Sequence, residues 1–189
     1  MTLHFKTSLI LNFWFGDLDS PGYGEPKNFW FQSTPELDQK IRHAFGSDHE
    51  KAIAGKLDAL LETPEGSLAL VILLDQFPRN MYRSTPKSFA SDSKALEVAE
   101  EALKKKFDQD LLPMQKMFLY LPYEHSEDLA NQEKSVQLFE ALGNEITLKY
   151  AIDHHDIIAK FNRFPHRNVI LGRESTPEEI DFLKTNSGF

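Results

Sequence analysis

The sequence predicts a single all-α domain of about eight helices spanning residues 1–189, and three observations carry that prediction. A helix-start signature, Ser or Thr followed by Pro and Glu, occurs three times. Apolar residues recur at helical spacing in several segments. No convincing strand pair, hairpin dipeptide or glycine-rich phosphate loop is found.

Residues 1–32 read as an irregular N-terminal arm, with Phe13-Trp14-Phe15-Gly16 and Phe29-Trp30-Phe31 anchoring it on the helical core. Between Gly16 and Asn28, Pro21-Gly22-Tyr23-Gly24-Glu25-Pro26 requires a loop. Ser33-Thr34-Pro35-Glu36 then offers a cap hydroxyl, a proline in the first turn and a carboxylate at the positive end of the dipole. Thr63-Pro64-Glu65 repeats that grammar ahead of Leu68–Leu74, which is apolar on every side and predicts a central, fully packed helix. Asp92 to Phe107 carries a stripe through Ala95, Leu96, Val98, Ala99, Ala102 and Leu103. Ser126-Glu127-Asp128 caps a further helix through Val136, Phe139 and Leu142, stopped at Gly143-Asn144. A stripe through Tyr150, His154, Ile157 and Phe161 follows, and Ser175-Thr176-Pro177-Glu178-Glu179 starts the last helix. Pro78, Ser84-Thr85-Pro86, Pro122 and Pro165 are expected to mark connections.

Composition limits the function classes. A length of 189 residues with 41% hydrophobic content supports a sizeable core. The net charge of −8 disfavours a duplex nucleic-acid or anionic-membrane partner. The absence of cysteine removes disulfides, thiolate catalysis and cysteine-ligated metals. The longest apolar run, Leu68 to Leu74, is far short of the roughly 20 residues that span a bilayer. With no leader pattern in Met1–Phe15, a soluble cytoplasmic protein is expected.

Two segments echo each other: Leu74-Asp75-Gln76-Phe77-Pro78-Arg79-Asn80 and Asn162-Arg163-Phe164-Pro165-His166-Arg167-Asn168. Each places Arg-Asn just after a Phe-Pro expected to end an apolar helix, with a further arginine beyond, Arg83 and Arg173. Residues 76–91 and 157–173 together hold seven basic and no acidic residues, so the other 156 hold 14 basic and 29 acidic. An acidic chain has gathered a third of its cations at two matched turns. If the turns converge, Asp75, Arg79, Asn80, Arg83, His125, His166, Arg167 and Asn168 line a recessed cationic pocket for a small anion. His154, on the apolar face of its helix, or Glu127 then moves protons. The competing reading is a structural network: Asp75 sits near the negative end of a buried helix dipole and calls for a neighbouring cation, with no ligand required. No Glu-x-x-His or His-x-x-x-His pair favours a metal, no cofactor motif is present, and Ser126 reads as a cap rather than a nucleophile.

These motifs, in order, also carry a resemblance. Phe13-Trp14-Phe15-Gly16, Leu-Asp-Gln-Phe-Pro-Arg-Asn at 74–80, Tyr123-Glu124-His125-Ser126-Glu127, and Arg163-Phe164-Pro165-His166-Arg167-Asn168 with Leu171-Gly172-Arg173 resemble the bacterial family known as domain of unknown function 924. The resemblance covers essentially the whole chain. It implies a tetratricopeptide-repeat-like helical array, in line with the 34-residue offset between the helices starting at Asp92 and Ser126. It implies no activity. Two functional expectations stand beside each other: a pocket that binds or acts on a small anionic metabolite, and a tetratricopeptide-like groove that holds a peptide or partner protein.

Overall fold

The computed structural model describes residues 3–30 and 32–186, and every regular element among them is helical. Phe31, one of the expected anchors, lies outside the described residues. The chain forms two compact units, Met1–Arg83 with Lys87–Pro122, and Ser84–Pro86 with Tyr123–Phe189.

In the first unit, α1 (Leu3–Phe15) precedes the loop and α2 (Pro35–Ile53) follows it. The arm is therefore helical over its first half and irregular from 16 to 27. No acidic first turn announces α1, so its apolar residues read as isolated clusters rather than one helix. Trp14 and Phe15 are buried and meet Phe118 at 5.6 and 5.5 Å, while Trp30 donates its indole N–H to the Trp14 carbonyl. The expected caps form where the sequence placed them. Thr34 accepts from Leu37 N–H, and Thr63 accepts from Gly66 N–H at the start of α3 (Pro64–Val71). Gly66 is required by close approach, since a Cβ there would lie 2.1 Å from the Leu60 carbonyl oxygen.

Leu68–Leu74 is buried on all sides, as the apolar run implies. The helix does not stop at Pro78, however. α3 passes into a π-helical turn, Ile72–Gln76, and continues as α4 (Phe77–Met81) with Pro78 in its first turn. Pro78 has no N–H to offer the Leu74 carbonyl four residues back. The wider π turn eases the ring past that carbonyl, and Ser91, just before α5 (Asp92–Lys104), donates its hydroxyl to it at 2.6 Å. The Ser91 oxygen lies 3.2 Å from His49 Nε2, which must be the donor because the hydroxyl hydrogen is already used. Pro122 likewise lies inside a helix, α6 (Pro113–Glu124), rather than between two.

The second unit is built on α7 (Leu129–Leu142) and α8 (Glu145–Phe161), joined by two residues into a helical hairpin of the kind that tetratricopeptide-like folds stack. Asp128 caps α7, Gly143 ends it at φ 74°, and Asn144 caps α8. Asn162 terminates α8 in the left-handed region at φ 56°. A 3₁₀ turn, Pro165–Arg167, leads into α9 (Asn168–Leu171), and α10 (Pro177–Leu183) begins on a full capping box between Thr176 and Glu179. No helix among the described residues is long and apolar enough to cross a membrane.

Candidate functional site

The two Phe-Pro segments belong to different units, and each gathers its own partners. In the first unit, Asp75 is fully buried on the π turn, with Arg79 Nη2 3.5 Å from its Oδ1 and Gln76 Nε2 at 2.5 Å from Oδ2. Arg79 also grips Asp92 with both terminal nitrogens, at 2.9 and 3.1 Å, and donates to the Asp75 carbonyl at 2.8 Å. Burial disfavours the guanidinium charge, but the adjacent Asp75 and Asp92 outweigh it and raise the Arg79 pKa. This guanidinium binds one helix end to the next.

Asn80 and Arg83, two of the expected ligand residues, converge on a carboxylate that sequence reasoning missed. Asn80 Nδ2 donates to Asp38 Oδ1 at 2.8 Å and to the Ser33 hydroxyl at 2.9 Å. Arg83 meets the same carboxylate through Nε and Nη2, at 3.0 and 3.2 Å. Burial raises the Asp38 pKa, and these hydrogen bonds more than reverse that, leaving it below the usual range. Asp38 lies more than forty residues upstream, so nothing local marks it.

In the second unit the expected residues separate into a frame and a cluster. The frame is continuous. Glu127 is held by Arg173 at 2.6 and 3.0 Å and accepts the Phe164 N–H at 2.8 Å. Arg173 Nε donates to Asn168 Oδ1, and Asn168 Nδ2 donates to Ser175 and to Glu179 Oε2. Glu179, buried at 2% exposure, is clasped by Arg163 at 2.6 and 2.7 Å and accepts the Thr176 N–H. Hydrogen bonds, the Arg163 bond foremost, hold the Glu179 carboxyl down at about 2. Burial pushes Glu127 up, but Arg173 and the Phe164 amide carry it below its ordinary value. Both carboxylates are charged anchors. Glu179 announces itself in sequence only as the third residue of a helix cap.

The cluster surrounds Phe164, which is fully buried. The Arg167 guanidinium lies over its ring at 4.4 Å. His154 meets it edge-on at 5.5 Å, and His166 lies at 5.6 Å on a tilted plane. His125 stands 6.4 Å from His154, ring to ring. His154 and Arg167 are buried, whereas His125 and His166 are partly exposed. Thus four expected site residues, on α8, on the segment before α7 and on the Phe-Pro turn, share one locality.

Its electrostatics are consistent. Burial above all, with the positive charge of Arg167 and the other histidines, lowers His154 to about 3. Burial followed by Arg167 lowers His166 to about 4. Both rings are neutral at pH 7. His154 Nδ1 lies 2.8 Å from the Tyr150 carbonyl, which only accepts, so Nδ1 carries the proton and Nε2 the lone pair. Glu124, 3.5 Å from the same nitrogen, therefore meets a neutral ring rather than an imidazolium. Among the described residues, no three of His, Asp and Glu are placed to share a metal ion.

Comparison with known proteins places this arrangement in context. Residues 10–187 match the model of a family described as bacterial protein of unknown function, DUF924. The chain is also similar to the solved structure of a protein of unknown function, ATU0120, from Agrobacterium tumefaciens. The two are 37% identical with a TM-score of 0.89, over 98% of this chain and 100% of that one. Among curated proteins, none matches.

Proposed function

The chain belongs to the DUF924 family of bacterial proteins, and we propose that it binds a small anionic molecule at the Phe164–Asn168 turn and moves a proton on it through His154. The observation that carries this reading is the meeting of Arg167, His154 and His166 at the Phe164 ring, with His125 against His154 and both His154 and His166 held neutral. Arg167 supplies a planar cation suited to a carboxylate or phosphate. His125 and His166, nearer the surface, offer the first hydrogen bonds to an entering molecule. His154, oriented by its bond to Tyr150, presents Nε2 as the proton acceptor.

Arg167 also tunes that base. An anion beside it offsets the positive field that helps hold His154 low and raises the proton affinity of Nε2. The burial contribution is larger and stays, so the rise is partial and the ring remains below its ordinary value. Glu127, expected as a second proton carrier, is better suited to positioning. Its charge is committed to Arg173, and its second partner is the backbone of the turn itself.

The test is imidazole nitrogen NMR of the labelled protein at pH 7 while inorganic phosphate or glycolate is added. His154 is expected to show a protonated Nδ1 and an unprotonated Nε2, and His154 and His166 signals move together as the anion binds. Arg167→Gln abolishes that movement while the tautomer persists. Signals unmoved by either anion, or moved equally in Arg167→Gln, overturn the reading.

A further inference from the structure

We propose a second ligand site in the first unit, a groove for a small oxyanion between one face of α2 and the end of α4, with Arg42 and Arg83 as its arms. The groove has a volume of about 620 Å³ and is lined by Ser33, Pro35, Asp38, Gln39, Arg42, Met81 and Arg83. Positions 35, 38, 39 and 42 fall at helical spacing on one side of α2, so a single helix face forms one wall. Met81, nearly buried, and Pro35 contribute the apolar part of the lining.

The cations are built differently. Arg83 is fixed: Nε and Nη2 are bound to Asp38, which Asn80 and Ser33 hold from the other side. A guanidinium has five N–H donors, and two suffice for that bond, so the Nη1 edge still presents a fork for a second anion. Arg42 lies over the Tyr82 ring at 5.1 Å and pairs with no carboxylate among the described residues. One carboxylate against two guanidiniums leaves the lining at net +1. That charge, with planar donors and an apolar floor, suits a carboxylate or phosphate attached to a small organic body. Asp38 acts as the positioning residue for Arg83, and this site is independent of the one at Phe164.

The experiment is a backbone amide NMR titration of the full chain with inorganic phosphate and, separately, acetate, at constant ionic strength set with sodium chloride. Saturable shifts are expected on residues 33–42 and 81–83. Arg42→Gln weakens binding about tenfold, the loss of one charge-assisted contact. Because Arg42 is exposed and its substitution leaves the core intact, Arg42→Lys serves as a second variant that retains the charge and recovers part of the affinity. A response to phosphate alone assigns a phosphate ester, and a response to both extends the class to carboxylates; either supports the site. No saturable shift at 33–42 and 81–83, or equal affinity in Arg42→Gln, overturns it. Shifts confined to 163–168 also overturn it, while speaking for the Phe164 site instead.

Discussion

The two Phe-Pro segments share a sequence pattern and differ in nearly everything the pattern was expected to decide. Pro78 is carried within a continuing helical rod, whereas Pro165 follows a helix already ended at Asn162 in the left-handed region. The difference lies in the carbonyl that Pro78, inside a continuing helix, leaves without its helical donor. Leu74 finds one in Ser91, 17 residues on, and a π turn makes room for the ring. The arginines diverge too. Arg79 binds two carboxylates, and Arg167 stacks on an aromatic ring among histidines. A short motif therefore specifies which groups are present, and distant partners decide whether they become scaffold or site.

Four changes probe that contrast, in order of expected effect. Arg79→Met removes the cation between Asp75 and Asp92 and should cost about 3–5 kcal/mol by chemical denaturation. A loss under about 1 kcal/mol would mean the first segment is not scaffold. Glu179→Gln keeps the shape of the frame but deprives Arg163 of its charge partner, for about 2–3 kcal/mol. It should also broaden the His154 and His166 signals, because the Phe164 turn hangs on that frame; sharp, unmoved signals would separate frame from cluster. Ser91→Ala strips the Leu74 carbonyl and His49 Nε2 of one shared partner, at about 1–3 kcal/mol. Adding Pro78→Ala should recover part of it, since an amide hydrogen returns to the helix.

The pH dependence is the gentlest probe. His154 and His166 titrate in the folded chain near 3 and 4, below the ordinary 6.5. Below about pH 6.5 the unfolded chain binds protons that the folded one refuses, so stability is full above that point and falls toward pH 4. Glu127 and Glu179, also depressed, add a second loss below their ordinary 4.5. His166→Asn should flatten the upper limb of the curve and leave the lower one; an unchanged upper limb would remove His166 from the account.

Much of the fold was legible because helix starts are local. Thr34, Thr63, Asp128 and Thr176 each cap within three residues of themselves, and Gly143 ends α7 by its own backbone. α1 was not legible as a helix, having no acidic first turn to mark it. Nor was the π turn, which depends on a serine in another element. The cluster at Phe164 was readable in part for the same reason. His125, His154, His166 and Arg167 stood out as polar groups on or beside apolar elements, and they share one locality. Asp38 and Glu179 did not stand out, because their arginine partners lie more than ten residues away and each resembles an ordinary acidic residue of a helix's first turn.

The second segment is proposed as a site and the first as its structural counterpart. Thermal unfolding of wild type, Arg79→Met and Arg167→Gln, each with and without saturating phosphate or glycolate, tests it most directly. Arg79→Met is expected to melt lower yet gain as much from the anion as wild type does through linkage, while Arg167→Gln loses the share of that gain supplied at Phe164 and keeps only the share of the Arg42–Arg83 groove. An anion-induced rise that is undiminished in Arg167→Gln and reduced in Arg79→Met would contradict it.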